Sequence, residues 1–204
     1  MVRPRGPEHD PPITFQGPAN GSNTVSRIQG PIALTHHGHG TIVDVQQDRL
    51  ECTVVGHSHD DEMWFLGHEF FYGPVTGDDV WNDLRDHLLQ PWYLPSGKKD
   101  LRISCTLVDS GHETQRVYAF CKRMAANRVF ASKGVGGSGR PAVGRPSKSN
   151  SASCPVFPVG TNTLKEVLFS RLKVSQPGPG YWHIPSHFDE EWCLQLTAEK
   201  VVRR

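Results

Sequence analysis

The 204-residue sequence contains no run of 18 or more apolar residues, and its N-terminus, MVRPRGPEHD, has no apolar core of a secretory signal. A spanning helix and a cleaved leader are therefore not expected, and a cytoplasmic protein is. Paired metal-binding cysteines are missing too. The five cysteines, Cys52, Cys105, Cys121, Cys154 and Cys193, are odd in number, widely spaced and without a CxxC pair, so reduced and mostly packed thiols are expected. No GxSxG elbow accompanies Ser110-Gly111-His112, which removes the hydrolase signature. No GxxxxGK[ST] occurs, because GVGGSGRP and GRPAVGRP lack the Lys-Ser/Thr that contacts phosphate and metal. Eleven histidines are present, but HHGH (36–39) falls in a stretch without periodicity, and Pro185 separates His183 from His187. Packing or exposure is expected for them in place of zinc ligation. No internal repeat is visible.

Hydrophobic residues make up 36% of the chain, beside 20 Gly and 16 Pro, so one core with loose attachments is expected. The net charge of +1 conceals an asymmetry. Fourteen acidic and five basic residues lie between Asp44 and Glu113, whereas Thr114 to Val174 holds eleven basic residues and a single acid, Glu166. An acidic block followed by a basic one suits a cation site beside a polyanion; it also suits a merely solvated surface.

Residues 1–40 are rich in Pro, Gly, His, Ser and Asn and read as a disordered or atypical arm. From residue 41 to 204 the periods sort into one folded domain. TIVDVQ (41–46), LECTVVGH (50–57) and EMWFLGHEFF (62–71) alternate as strands joined by short polar turns, an antiparallel meander. Val80, Trp81, Leu84 and Leu88 mark a helix opened near Asp78 and stopped before Pro91. A strand over 101–109 leads into a helix over 113–125, with Ser110 and Glu113 at capping-box spacing, and RVFASK (128–133) follows as a short strand. The stretch 134–155 has the composition of a flexible basic loop. Thr163 and Glu166 again have capping-box spacing, for a helix carrying Leu164, Val167, Leu168 and Leu172. YWHIP (181–185) and FDEEWCLQLTAEKVV give a last strand and helix. The five tryptophans read as core or half-core residues.

Two carboxylates stand out. Asp109 ends an apolar strand where a helix begins, either as part of that helix's cap or as a group presented at the strand tip. Asp44 sits between apolar neighbours, where an unpaired charge is costly. If the two strands are adjacent, the carboxylates converge, repel, and suit a divalent cation. An Asp on the first and fourth strands of a βββαβα order is the plan of RNase H-like nucleases: an α/β fold with a mixed sheet, a three-strand antiparallel meander plus parallel strands, flanked by helices.

Six blocks, VDVQQDRLE (43–51), EMWFLGHEFFYG (62–73), VDSGHETQRVYAFCKR (108–123), ASKG (131–134), VGTNTLKEVLFSRLKV (159–174) and PGPGYWHIP…QLTAEK (177–200), resemble in order and spacing the nuclease domain of the GpA-type large terminase subunit of lambda-like phages. The resemblance implies a two-metal-type endonuclease that uses Mg²⁺ or Mn²⁺ to cut concatemeric viral DNA during genome packaging in the host cytoplasm. Asp44 and Asp109 are then metal ligands. Asp189, in HFDEE, is a third metal ligand, or part of an acidic helix start that suits the dipole. Lys133 in ASKG is placed to touch the scissile phosphate. Lys133, Arg140, Arg145, Lys148, Lys165 and Arg171 are the expected DNA contacts. Double-stranded DNA, a small terminase subunit and a portal are the implied partners, in an oligomer. Translocation is not expected of this chain, for want of the ATPase motif. A rival expectation is a catalytically incomplete terminase fragment, a prophage remnant that retains the fold and binding alone.

Overall fold

Alternation along four strands divides one sheet into a face packed against two helices and a face left open except where the last helix meets an outer strand. The computed structural model describes residues 38–93, 100–148, 153–185, 188 and 190–198, and two short strands, Ile13–Phe15 and Ser26–Ile28, that pair antiparallel within the expected arm. The meander consists of β1 (His39–Val45), β2 (Arg49–His57) and β3 (Met63–Tyr72). After α1 (Asp79–Leu89) come β4 (Ile103–Asp109), α2 (Thr114–Arg123) and β5 (Val129–Val135). β6 (Ser147–Lys148), β7 (Pro155–Gly160), α3 (Thr161–Arg171), β8 (Trp182–His183) and α4 (Glu190–Thr197) complete the order. The strand expected over 101–109 is broken at Arg102, with Asp100–Leu101 pairing separately with Trp92–Tyr93.

The eight strands lie in the order β6-β7-β5-β4-β1-β2-β3-β8. β2 pairs antiparallel with β1 on one side and β3 on the other, while β1, β4, β5 and β7 run parallel. The order 3-2-1-4-5 is the RNase H-like mixed sheet expected from the sequence.

One face is dry. Val43, Leu50, Cys52, Val54, Val108, Val129 and Ala131 meet Val80, Trp81, Leu84 and Leu88 of α1 and Val117, Phe120 and Cys121 of α2, with Met124 just beyond. The α1 residues are those that helical spacing singled out. Trp81 and Phe120 rings meet at 5.1 Å, and the Trp81 indole N–H donates to the Val75 carbonyl at 2.8 Å. Truncating either ring to alanine costs about 3–5 kcal/mol for a buried site of this kind. All five cysteines are free thiols, with Cys52, Cys121 and Cys154 buried. A second cluster forms where α4 closes on β3: Trp192 and Phe188 stand edge-on to Phe65 at 5.2 and 5.9 Å, and Trp182 joins at 5.4 Å.

Three local expectations need correction. The Ser110–Glu113 capping box does not form: Ser110 is buried and donates to the Ser132 carbonyl at 2.7 Å, and Glu113 adopts a left-handed backbone at φ 44°. α3 begins at Thr161, so Thr163 lies inside it and donates to the Arg140 carbonyl at 2.6 Å. Its Leu164, Val167 and Leu172 are exposed. The basic stretch after β5 folds back along β7: Val143 bridges Val159, Gly144 N–H donates to Pro158, and Ser147 pairs with Val156. Gly and Pro there serve an edge segment as well as a loop.

Candidate active site

Thr41, Val43 and Val45 of β1 point into the helix-covered core, so alternation puts Ile42 and Asp44 on the opposite face, where Ile42 is 58% exposed. On β4, Thr106 and Val108 are buried, which puts Leu107 and Asp109 on that same open face. β1 and β4 are parallel with Val43 in register with Val108. One residue further on each strand brings Asp44 beside Asp109 at the strand tips. Adjacent strands are about 4.8 Å apart, so the two carboxylates are near neighbours.

The row extends both ways. Asp109 is in register with Ser132 of β5, and Asp44 with Glu51 of β2. Like charges directly opposite one another destabilise a sheet, and Arg49 offsets this one: its Nε and Nη2 lie 2.8 and 2.7 Å from Glu51 Oε1, while Nη1 reaches Asp48 at 2.9 Å. Glu51 was not singled out from the sequence, because its membership depends on hairpin register.

Local bonds orient the two aspartates. The Gly111 N–H donates to Asp109 Oδ2 at 3.1 Å. A Cβ at position 111 would lie 2.8 Å from that oxygen, so glycine is what permits this approach. The Gln46 side-chain amide donates to Asp44 Oδ2. One oxygen on each carboxylate is thus held, which fixes the plane of the other. Behind them Ser110 ties the strand tips, its N–H and hydroxyl both donating to the Ser132 carbonyl at 2.9 and 2.7 Å.

The other predicted residues are more scattered. Ala131 is buried on the helix side and Ser132 is in register with Asp109, so alternation turns the exposed Lys133 away from the carboxylate face. Arg140, Arg145 and Lys148 line the exposed segment along β7, where Arg140 Nε donates to the Gly136 carbonyl at 3.0 Å. Lys165 lies on α3. Arg171, at the end of α3, reaches Asp61 at 3.3 Å, far along the chain from the loop. Asp189 lies outside the described residues.

Two histidines are held by packing and hydrogen bonding. His39 was assigned to the arm with the rest of HHGH, but it opens β1 and is buried; burial, then the nearby His57, pushes its pKa down. His183 lies 2.7 Å from Glu62 and stacks on Trp64 at 4.9 Å. Among the described residues no group of three or more His, Cys, Asp or Glu side chains converges as a metal cluster. The Asp44–Asp109 pair offers two carboxylates, a donor set of the kind that would fit Mg²⁺, which keeps several waters and binds through one or two carboxylates.

Comparison with known proteins supplies the family. The model of the terminase large subunit gpA endonuclease domain matches residues 40–204. The large terminase subunit of Escherichia phage lambda is 30% identical over 171 residues, covering 79% of this chain and 26% of that protein. That of Enterobacteria phage P21 is 27% identical over 172 residues, with the same coverages of 79% and 26%. The chain thus spans about a quarter of the length of these curated relatives. No solved structure matches it. With the match extending from the start of β1 through the carboxylate strands to the last helix, the chain belongs to the terminase large subunit gpA endonuclease domain family.

Proposed function

We propose that the chain is a metal-dependent DNA endonuclease that cuts concatemeric viral DNA during genome packaging, with Asp44 and Asp109 as ligands of Mg²⁺ or Mn²⁺. The observation that carries this reading is their adjacency on the open face at the tips of two parallel strands. A cation bound there supplies Lewis-acid polarisation of a phosphate and lowers the pKa of water. The chain's own residues do the rest. Gly111 N–H and the Gln46 amide hold one oxygen of each carboxylate, so the second oxygen of each is the one that would hold the cation. The Ser110–Ser132 tie keeps the strand tips from splaying.

Asp189 is proposed as a third ligand. Lys133, Arg140, Arg145, Lys148, Lys165 and Arg171 are proposed to contact the DNA backbone, with affinity that falls steeply as salt rises. Register favours Arg140, Arg145 and Lys148 acting together on one strand edge over Lys133 at the scissile phosphate. Double-stranded DNA, a small subunit and a portal are the proposed partners, in an oligomer in the host cytoplasm. Cleavage alone is assigned to these residues, since the sequence contains no GxxxxGK[ST] for ATP-driven translocation.

A second reading is a nuclease fold that binds DNA without cutting it. It is favoured by the lack of a third converging ligand among the described residues. Plasmid nicking by the purified chain in Mn²⁺, Mg²⁺ and EDTA, beside Asp109→Ala, separates the two. Nicking that needs metal and disappears in the variant supports the endonuclease. Folded protein that binds plasmid in Mn²⁺ and leaves it intact supports the binding protein.

A further inference from the structure

The carboxylate row ends in exposed aromatic rings. Glu51 is in register with Phe70, and Arg49 with Tyr72, on the outer part of β3. Phe70 is 43% and Tyr72 71% exposed. Their rings lie nearly parallel, with centroids 5.8 Å apart and planes at 14°, and His68 stands edge-on to Phe70 at 4.7 Å. β8 pairs with β3 only at Met63 and Trp64, so among the described residues His68 to Tyr72 is the outer strand of the sheet. Exposed rings on an outer strand are an aggregation liability unless something covers them.

What covers them is constrained by direction. Side chains leave a strand perpendicular to the sheet, so these rings rise on the same side as Asp44 and Asp109. A protein strand that docked on β3 would use the in-plane N–H and C=O groups and would leave the ring faces open. Phe70 is two strands from Asp44, about 10 Å at ~4.8 Å per strand. A nucleobase has a π-face of any sequence to lay on a ring, but within a duplex those faces are already stacked.

We propose that Phe70 and Tyr72 are a stacking platform for unpaired nucleobases flanking the phosphate at the Asp44–Asp109 pair, so that the site engages a locally opened strand in preference to continuous duplex. The proposal rests on the reading that the carboxylate pair acts on a nucleic-acid backbone.

The test uses the full chain and an oligothymidylate carrying one 2-aminopurine, whose fluorescence is quenched by stacking, in EDTA and again in Ca²⁺. Binding with quenching is expected, weakened roughly five- to 150-fold by Phe70→Ala or Tyr72→Ala and retained by Tyr72→Phe. Binding of a duplex of the same length should change little in any variant. Far-UV circular dichroism checks that each variant is folded. Alanine variants that quench and bind as the parent does, or that weaken duplex and single strand alike, overturn the platform; so does a parent that binds the oligonucleotide without quenching. The carboxylate reading fails separately: plasmid nicking that survives in Asp109→Ala refutes it whatever the rings do.

Discussion

His87 gives this fold a built-in acid sensitivity whose size can be worked out. It occupies the last turn of α1, with its ring edge-on to Phe71 at 5.5 Å and its Nδ1 sharing a hydrogen bond with the Gln90 amide at 3.2 Å. Burial disfavours the imidazolium and lowers the pKa from the ordinary 6.5 to about 4. Because the folded value lies below the unfolded one, the unfolded chain takes up the proton first as pH falls. The contribution is complete above pH 6.5 and is lost as the pH approaches 4. With about 1.36 kcal/mol per pH decade, about 2 kcal/mol is gone at pH 5 and about 3 kcal/mol at pH 4. That is a large part of the stability of an ordinary domain. The assay is urea unfolding, followed by circular dichroism, of the parent and of His87→Phe, whose ring fills the same space and cannot be protonated. Titrations common to both proteins cancel in the difference. The gap between the two free energies should move by about 2 kcal/mol from pH 7.5 to pH 5, in favour of the variant. Parallel pH curves for the two proteins would refute the argument.

Two further outcomes follow from close contacts. Gly111→Ala places a methyl 2.8 Å from Asp109 Oδ2, so the carboxylate must turn. Metal-induced stabilisation, read as the rise in melting temperature in Mn²⁺, should shrink while the metal-free melting temperature shifts by no more than about 2–4 °C, the equivalent of ~1 kcal/mol. Thr41 and Thr106 are in register across β1 and β4, and each hydroxyl is buried without a hydrogen-bond partner among the described residues. Thr106→Val, which keeps the shape and removes the polar atom, should stabilise the fold by about 1 kcal/mol in urea unfolding, whereas a comparable loss of stability would show that the hydroxyl is satisfied.

The sequence was informative wherever one residue's partners lie close along the chain. The four α1 positions Val80, Trp81, Leu84 and Leu88 are buried as their spacing predicts, because a single helix face meets a single sheet face. The meander was legible for the same reason, its turns being short and its alternation regular. The Asp44–Asp109 pairing was reached by assuming the strand order, which the sheet bears out. Local motifs failed where a distant acceptor competed for the same hydroxyl. Ser110 has the spacing of a cap, but the Ser132 carbonyl on the neighbouring strand takes its proton; Thr163 is claimed in the same way by Arg140. Gly111 and Glu51 escaped notice because their significance lies in a close approach and in a register, neither of which leaves a local pattern. Leu164, Val167 and Leu172 recur at helical intervals without being buried, so periodicity identified the helix without identifying what it packs on.

The parallel pairing of β1 with β4 has a consequence for the order of events during synthesis. The meander needs only nearby chain and can close early, but Val43 reaches Val108 only after the whole of β2, β3 and α1 has been made and folded out of the way. Loop-closure entropy must be overcome before that contact contributes anything, which makes it a slow step. The two aspartates are therefore separate until β4 has been made, and any cation site they form assembles only when β4 docks. A nascent or half-folded chain, though already carrying Asp44, is unarmed until β4 joins the meander.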